Sequence, residues 1–262
     1  MHNKPIGIFD SGIGGTSIWK AIQKVLPHED TIYLADSKNA PYGEKSSEQI
    51  IQLSLKNTQF LLDKGCKLIV VACNTATTNA IAYLRERYHV PMIGIEPAIK
   101  PAALQSQSKS IGILATRGTL SSRLFHSTSE IHAKGIKVIE REGVGLVPLI
   151  EQGKIDSKEV RSLLRIYLKP MLDEHIDFLV LGCTHYPYLI PVLEELLPEH
   201  VTIIDSGEAV ARQTKAVLEG KGWLNPSERL AQYQFFTNVD AKVLNDVLKD
   251  VAVSYGVRQL DF

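Results

Sequence analysis

Short apolar runs alternate with longer amphipathic segments along most of the chain. Eight runs of three to six residues, rich in Ile, Val and Leu, have the composition of buried strands, and they cover 5–9, 31–34, 67–72, 92–95, 110–114, 137–139, 178–181 and 202–204. The segments between them predict helices over 16–26, 46–64, 77–88, 157–173 and 189–196. Strands that alternate with helices predict an α/β fold with mainly parallel sheets covered on both faces.

The sequence also matches itself. Three pairs of segments correspond in the same order along the chain, namely 6–11 with 111–116, 68–75 with 178–185, and 93–96 with 202–205, at offsets of 105, 110 and 109 residues. Chance similarity between apolar strands is the alternative, but the shared order favours a duplicated α/β unit. We therefore predict a first lobe of residues 1–96 and 207–262 and a second lobe of residues 97–206.

Two cysteines occupy equivalent places in this repeat. Cys73 and Cys183 each follow a predicted strand and precede small polar residues that can open a helix. Ligands of parallel α/β sheets bind beyond the carboxyl ends of the strands, and a helix N-terminus favours a thiolate. One such cysteine alone is more often a small buried side chain, but the equivalent pair predicts two reactive thiols that face one cleft. Cys66 precedes its strand and has no counterpart, so we expect it to pack in the core.

A glycine-rich segment, Asp10-Ser11-Gly12-Ile13-Gly14-Gly15, follows the first predicted strand. Phosphate-binding loops occur in this context, but Ser17 stands where a GxGxxG motif has its third glycine, and no Gly-Lys-Ser or Gly-Lys-Thr is present. We interpret the segment as a tight turn that lets the backbone approach a small ligand, with Asp10 available for protons or an ammonium group. A glycine turn capped by Asp10 is the structural alternative.

Three other features are less specific. The polar loop Pro41-Tyr42-Gly43 is by itself typical of an ordinary turn. His185, two residues after Cys183, could orient or protonate a reacting group, whereas the spacing of His and Cys supports no zinc site. Glu151 follows the apolar segment 147–150, and we interpret it as a solvated helix residue.

Composition narrows the class of protein. The 262 residues carry 29 Lys+Arg and 29 Asp+Glu, and this zero net charge argues against a nucleic-acid partner. An apolar fraction of 44% and a charged fraction of 22% are ordinary for a globular protein. The apolar runs are far shorter than the roughly 20 residues of a membrane span, and no signal-peptide pattern precedes the first strand. Because no signal-peptide pattern is present, we expect a cytoplasmic protein. Three cysteines without a CxxC pair argue against a disulfide framework.

Four segments together resemble bacterial glutamate racemases. They are 7–15 (GIFDSGIGG), 41–43 (PYG), 72–76 (ACNTA) and 181–187 (LGCTHYP). The resemblance extends from about residue 5 to beyond residue 210 in the correct order, and the paired Cys-Asn-Thr and Cys-Thr-His segments are specific. Aspartate racemases are similar in the two cysteines but lack this combination of segments.

The resemblance implies two pseudo-symmetric, flavodoxin-like α/β lobes with mainly parallel sheets and an active site between them. It implies proton transfer without pyridoxal phosphate, metal or other cofactor, with Cys73 and Cys183 as the two acid/bases and Asp10 and His185 assisting them. The residues that it places at the glutamate ligand are Asp10, Ser11, Tyr42, Gly43, Asn74, Thr75, Thr184 and His185. It also implies a role in supplying D-glutamate for peptidoglycan, and hence in cell-wall biogenesis and cell shape.

One departure and two rival functions remain at this stage. Many relatives have Ala-Cys-Pro where this chain has Gly143-Val144-Gly145, which weakens any transfer of a role to Glu151. A racemase or decarboxylase for another acid, such as aspartate, could use the same fold. A two-lobed binding protein for a small anion could carry both cysteines as packing residues. The sequence leaves open whether the chain forms a homodimer.

Overall fold

The computed structural model describes residues 1–227 and 229–262. The strands there are β1 (Ile6–Asp10), β2 (Thr31–Ala35), β3 (Leu68–Val71), β4 (Met92–Gly94), β5 (Ser110–Ala115), β6 (Lys137–Glu142), β7 (Phe178–Gly182), β8 (Thr202–Ile204), β9 (Tyr233–Thr237) and β10 (Tyr255–Gln259). The helices are α1 (Thr16–Val25), α2 (Ser47–Asp63), α3 (Asn74–Arg87), α4 (Ile99–Gln105), α5 (Arg117–Leu120), α6 (Arg123–His132), α7 (Leu146–Glu151), α8 (Lys158–Leu172), α9 (Ile190–Leu196), α10 (Gly207–Gly220) and α11 (Lys242–Leu248). Short 3₁₀ turns cover Ser37–Asn39, Tyr42–Glu44 and Tyr186–Leu189.

The strands form two parallel sheets, which confirms the predicted α/β class. The first sheet has the order β10-β9-β2-β1-β3-β4, and the second has the order β6-β5-β7-β8. Every pair of neighbouring strands is parallel. The order β2-β1-β3-β4 in one sheet repeats as β6-β5-β7-β8 in the other, in agreement with the repeat in the sequence. We call the sheets, with the helices packed on them, the first and second lobes.

All eight strands predicted from the apolar runs are present. The C-terminal part of the chain adds β9 and β10 to the first sheet, where β9 pairs with β2. The exact boundaries of the lobes, at residues 96/97 and 206/207, remain a prediction. Helix α3 begins at Asn74 rather than at residue 77, because Cys73 is its N-cap and the Cys73 Sγ accepts a hydrogen bond from Ala76 N.

The central strands of both sheets are buried along their whole length. Every residue of β1, β3, β5 and β7 is buried, as expected for parallel strands covered on both faces. The edge strands β6 and β8 are mostly half-exposed. In the part of the chain that the structure describes, no helix is both long and apolar enough to cross a membrane.

A buried ion pair closes the base of the first sheet. Lys67, the residue directly before β3, donates from Nζ to Glu29 Oε2 at 2.6 Å, to His2 O at 2.9 Å and to Trp223 O at 2.8 Å. The second Glu29 oxygen accepts from Asn225 N at 2.7 Å. All three ammonium protons are used, so the pair ties β3 to the N-terminal segment and to the segment after α10.

Removing one partner of this pair should destabilise the fold strongly. We expect Lys67→Met to lower the free energy of unfolding by about 3–5 kcal/mol, because it leaves the Glu29 carboxylate buried and uncompensated. Lys67→Met combined with Glu29→Gln should recover part of that loss. The control is Lys137→Met, which breaks the exposed pair with Glu174 and should cost less than about 1 kcal/mol. Urea unfolding of the four proteins measures this, and equal losses for Lys67→Met and Lys137→Met would contradict it.

Candidate active site

The carboxyl ends of β1, β3, β5 and β7 meet at a small cavity between the lobes. It is lined by Ser11, Pro41, Tyr42, Gly43, Cys73, Asn74, Thr75, Thr116, Val147, Cys183, Thr184 and His185. Nine of the ten residues predicted for the site are in this set, and the tenth, Asp10, lies directly beneath Ser11 at the end of β1. The cavity volume is about 10 Å³, room for about one water molecule. The lobes are therefore closed on each other.

Cys73 enters the cavity from the first lobe. Its Sγ accepts from Ala76 N at 3.4 Å and lies 3.8 Å from Ser11 Oγ, to which the thiol can donate. Burial raises the pKa of the Cys73 thiol well above its usual value, and the nearby Asp10 carboxylate raises it further. The expectation that the helix N-terminus lowers the pKa of this thiol is therefore wrong for the closed site, because burial outweighs the single amide hydrogen bond.

Cys183 enters from the second lobe, directly after β7. Its Sγ lies 3.8 Å from Nδ1 of His185. His185 directly precedes the 3₁₀ turn Tyr186–Leu189. The two cysteines that correspond in the repeat thus line one cavity from opposite lobes. Cys66 is buried in the core of the first lobe, where burial raises the pKa of its thiol to about 12.

Asp10 connects the two lobes beneath the cavity. Its Oδ2 accepts from Gly12 N at 3.2 Å and from Gly15 N at 2.9 Å, and its Oδ1 accepts from the Thr184 hydroxyl of the second lobe at 3.2 Å. The side chain is fully buried, and this burial raises the pKa of the carboxyl although His185 and the Gly15 amide oppose the shift. Asp10 is therefore both the cap of the glycine turn and a group with a raised affinity for a proton beside Cys73.

A buried His–Glu pair stands behind Cys183. His185 Nε2 donates to Glu151 Oε1 at 2.5 Å, and the same oxygen accepts from Ile13 N of the first lobe at 2.7 Å. Glu151 Oε2 accepts from the Ser37 hydroxyl at 2.7 Å. The interpretation of Glu151 as a solvated helix residue is wrong, since its side chain is only 13% exposed and its carboxylate faces the other lobe.

The two members of this pair stabilise each other's charged forms. Burial disfavours the charge on both side chains. Hydrogen bonds from His185, Ser37 and Ile13 nevertheless hold the pKa of Glu151 below its usual value. Contacts with Cys183, Glu151 and Asp10 raise the pKa of His185 well above its usual value. The contacts of the His185 ring therefore favour its protonated form, paired with the Glu151 carboxylate, beside Cys183.

The glycines after β1 allow the lobes to approach. A Cβ at Gly12 would lie 1.9 Å from Glu151 Oε1, and a Cβ at Gly14 would lie 2.3 Å from His185 Nδ1. Any larger residue would push the His–Glu pair away from the first lobe. The glycine turn was expected to admit a ligand, but at these two positions it admits side chains of the second lobe.

Asn74 and Thr75 differ in how well their polar atoms are satisfied. Both polar atoms of the buried Asn74 amide lack a hydrogen-bond partner in residues 1–227 and 229–262. The Thr75 hydroxyl is paired across the lobes with the Thr116 hydroxyl at 2.7 Å. A buried amide without partners is costly, so the Asn74 side chain is the polar group most available to a ligand in this cavity.

The Pro41-Tyr42-Gly43 loop forms another wall of the cavity. The Tyr42 hydroxyl donates to Asp36 Oδ2 at 2.5 Å and accepts from Asn57 Nδ2 at 3.1 Å, so it is already used within the first lobe. Gly43 packs against Thr116 so closely that a Cβ there would lie 2.7 Å from the threonine Cβ. The loop therefore offers a ligand its backbone rather than the Tyr42 hydroxyl.

The site residues predicted from the sequence do not include three residues of this region, Glu151, Ser37 and Thr116. The motif 147–150 before Glu151 marks a buried helix and could have indicated that the next residue faces the interior. Thr116 could have been found from the repeat, in which it corresponds to Ser11. For Ser37 the sequence carries no comparable signal. Among the described residues, no cluster of His, Cys, Asp and Glu is arranged to hold a metal ion.

The chain is similar to proteins of known function. The family model described as "Asp/Glu/Hydantoin racemase" matches residues 15–214. The glutamate racemase of Ralstonia pickettii (strain 12J) is 50% identical over 218 residues, which cover 83% of this chain and 77% of that protein.

Two solved structures resemble the whole chain. The Escherichia coli glutamate racemase in complex with L-glutamate and the activator UDP-MurNAc-ala has a TM-score of 0.86 at 32% identity, covering 98% of each chain. The Francisella tularensis glutamate racemase in complex with D-glutamate has a TM-score of 0.85 at 28% identity, covering 100% of this chain and 98% of that one. Similarity to this chain therefore extends across both lobes.

The unpartnered Asn74 amide leads to a prediction about stability. Asn74→Ala removes two buried polar atoms that have no partner in the described part of the chain, so the free energy of unfolding of the ligand-free protein should stay the same or rise by up to about 1 kcal/mol. The control is Asn57→Ala, which removes a buried amide whose nitrogen donates to the Tyr42 hydroxyl, although its oxygen has no partner among the described residues, and it should cost about 1–3 kcal/mol. Chemical denaturation of both variants measures this. A loss for Asn74→Ala as large as that for Asn57→Ala would mean that Asn74 is a structural residue.

Proposed function

The chain belongs to the glutamate racemases of the Asp/Glu/Hydantoin racemase family, and we propose that it interconverts L- and D-glutamate by two-base proton transfer at Cα. The observation that carries this mechanism is the pair of thiols, Cys73 and Cys183, that reach one closed cavity from opposite lobes. Relatives of this chain have been solved with L-glutamate and with D-glutamate, which supports glutamate as the substrate.

Inversion at Cα requires a base on one face and an acid on the other. In one direction the thiolate of one cysteine takes the Cα proton and becomes a thiol, while the thiol of the other cysteine gives its proton to the opposite face of Cα and becomes a thiolate. The roles exchange in the reverse direction. By family resemblance, Cys73 acts on the proton of D-glutamate and Cys183 acts on that of L-glutamate.

The two cysteines have different partners for their protons. On the Cys73 side the Asp10 carboxyl acts on the thiol, and because burial raises its pKa, Asp10 can hold a proton at neutral pH more readily than an exposed carboxylate. On the Cys183 side Nδ1 of His185 lies 3.8 Å from Sγ, and in the protonated ring it can give a proton to the Cys183 thiolate and take it back. We assign Asp10 and His185 to assist these transfers.

The developing negative charge on the substrate needs fixed hydrogen-bond donors. Asn74 fits this role best, because its amide is buried at the cavity and has no partner among residues 1–227 and 229–262. The hydroxyls of Thr75 and Thr184 are paired with Thr116 and Asp10, so each must exchange its partner to reach the substrate. Ser11 and the backbone of Tyr42 and Gly43 complete the set that we assign to substrate binding.

Glutamate enters only when the lobes separate, since a cavity of about 10 Å³ is far too small for it. Closing the lobes around the substrate then excludes water from the carbanion-like transition state. We keep the expectations that the reaction needs no pyridoxal phosphate or metal, that it takes place in the cytoplasm, and that it supplies D-glutamate for peptidoglycan, cell-wall biogenesis and cell shape. A homodimer remains an open option.

The reaction can be tested by incubating protein dialysed against a chelator with pure L-glutamate in heavy water. We expect D-glutamate to form with deuterium at Cα while the remaining L-glutamate stays mostly protiated, because the donor on the receiving face has exchanged with solvent. Proton NMR and chiral chromatography follow the two changes. Aspartate is measured in parallel. Binding without any Cα exchange would indicate a binding protein, and faster turnover of aspartate than glutamate would indicate a different racemase.

Replacement of individual cysteines tests the two-base assignment. Cys73→Ser and Cys183→Ser should each reduce racemisation in both directions by about 10²–10⁴-fold or more, because each direction uses both groups. Residual exchange of the Cα hydrogen should survive better with L-glutamate in Cys73→Ser and with D-glutamate in Cys183→Ser. Cys66→Ala is the control and should stay close to the parent protein, since Cys66 lies in the core with a pKa of about 12. Equal residual exchange from both enantiomers in both serine variants would refute the assignment.

A further inference from the structure

The Glu151 carboxylate is held by both lobes. One contact comes from its own lobe, where His185 Nε2 donates to Oε1 at 2.5 Å. Two contacts come from the first lobe, where Ile13 N donates to Oε1 and the Ser37 hydroxyl donates to Oε2, each at 2.7 Å. Within the described part of the chain, Ser37 is the only side chain of the first lobe that bonds this carboxylate.

Ser37 lies outside the cavity, in an anchored turn after β2. The backbone of this turn is fixed by Asp36 N, which donates to Asp10 O at 3.1 Å. Asp36 Oδ1 accepts hydrogen bonds from two side-chain amides, from Asn39 Nδ2 at 2.8 Å and from Asn238 Nδ2 at 2.5 Å. The position of the turn therefore does not depend on the Ser37 hydroxyl, whose one hydrogen bond goes to Glu151.

We infer that Ser37 is a positioning residue for the racemisation proposed above: its hydroxyl holds the Glu151 carboxylate where that carboxylate orients the His185 ring toward Cys183. Ser37 touches neither the cavity nor a thiol, so it acts only through Glu151 and His185. The inference rests on the proposed function, because orientation of His185 matters only if Cys183 exchanges protons.

The arrangement couples acid/base chemistry to closure of the lobes. Separation of the lobes, which substrate entry requires, removes Ile13 and Ser37 from Glu151 and leaves it with one of its three hydrogen bonds. Closure restores both bonds and fixes the ring again. The proton partner of Cys183 is therefore complete only when the cavity is closed around its contents.

The groups around the His185 ring define the expected pH effect. The titratable groups that face it are Cys183 at 3.8 Å, Asp10 at 4.0 Å and Glu151, and all three favour the protonated ring although burial opposes it.

The Tyr33 and Tyr188 phenols lie near the two carboxylates, and burial raises the pKa of both, so they stay neutral. Loss of the Ser37 bond lets Glu151 move away from the ring, and the pKa of His185 should then fall toward its ordinary value.

Steady-state kinetics over a range of pH tests the inference. Ser37→Ala should lower kcat about tenfold with KM changed by less than about twofold, and it should move the high-pH limb of the kcat profile, which reports the groups of the closed complex, to lower pH. Ser37→Thr keeps the hydroxyl and should restore both values. The matched control is Ser17→Ala, which loses another hydrogen bond between the lobes, from Ser17 Oγ to Thr184 O at 3.0 Å, but leaves Glu151 untouched. Its pH limb should not move.

A double-mutant cycle shows whether Ser37 acts through Glu151. In the background of Glu151→Ala, the further change Ser37→Ala should have almost no effect, whereas independent sites would show the full reduction again. If Ser37→Ala lowers the unfolding temperature, the kinetics of Ser37→Thr are compared with those of Ser37→Val instead. These two side chains have the same shape, and only Thr has the hydroxyl. The inference would be overturned if the high-pH limb of Ser37→Ala stayed at the pH of the parent protein. It would also be overturned if Ser37→Ala reduced kcat in the Glu151→Ala background as much as it does in the parent protein. Failure of the parent protein to racemise glutamate would instead overturn the proposed function.

Discussion

Burial of charge between two lobes is the constraint on which the rest of the structure depends. Asp10, Glu151 and His185 are ionisable groups removed from water, and each is retained only because donors and acceptors from both lobes surround it. These partners are largely backbone amides at Gly12, Ile13 and Gly15. The glycine turn after β1 therefore stabilises buried charge. Its amides can lie this close to the second lobe only because residues 12 and 14 have no side chains.

Much of this could be predicted from the sequence where the signal is local or repeated. The central strands β1, β3, β5 and β7 are continuous apolar runs, because both faces of a parallel sheet are covered, and the apolar pattern of the sequence predicts them. The correspondence of residues 68–75 with 178–185 placed Cys73 and Cys183 at equivalent strand ends, and both line one cavity. The roles of these residues remain a proposal.

The features that the sequence did not predict are contacts across long separations in the chain. Glu151 was interpreted as solvated because its own helix gives no indication of the loop 138 residues earlier that covers it. Ser37 bonds Glu151 across 114 residues, and nothing near either residue marks the pair. The expected lowering of the Cys73 pKa is wrong for a related reason, since it includes the local helix dipole but not the desolvation of the thiol in the closed site.

Closure and thiol ionisation oppose each other in this design. The closed cavity strengthens every hydrogen bond and excludes water, but the same desolvation, with the Asp10 carboxylate nearby, raises the pKa of Cys73 and disfavours the thiolate that proton abstraction needs. A substrate that brings an ammonium group into the cavity offsets the negative charge of Asp10 and lowers the cost of ionising the thiol. On the Cys183 side the protonated His185 supplies a positive charge from the protein itself. The two halves of a duplicated fold thus meet one electrostatic requirement by different means, and this difference follows from Glu151 and its partners in the first lobe.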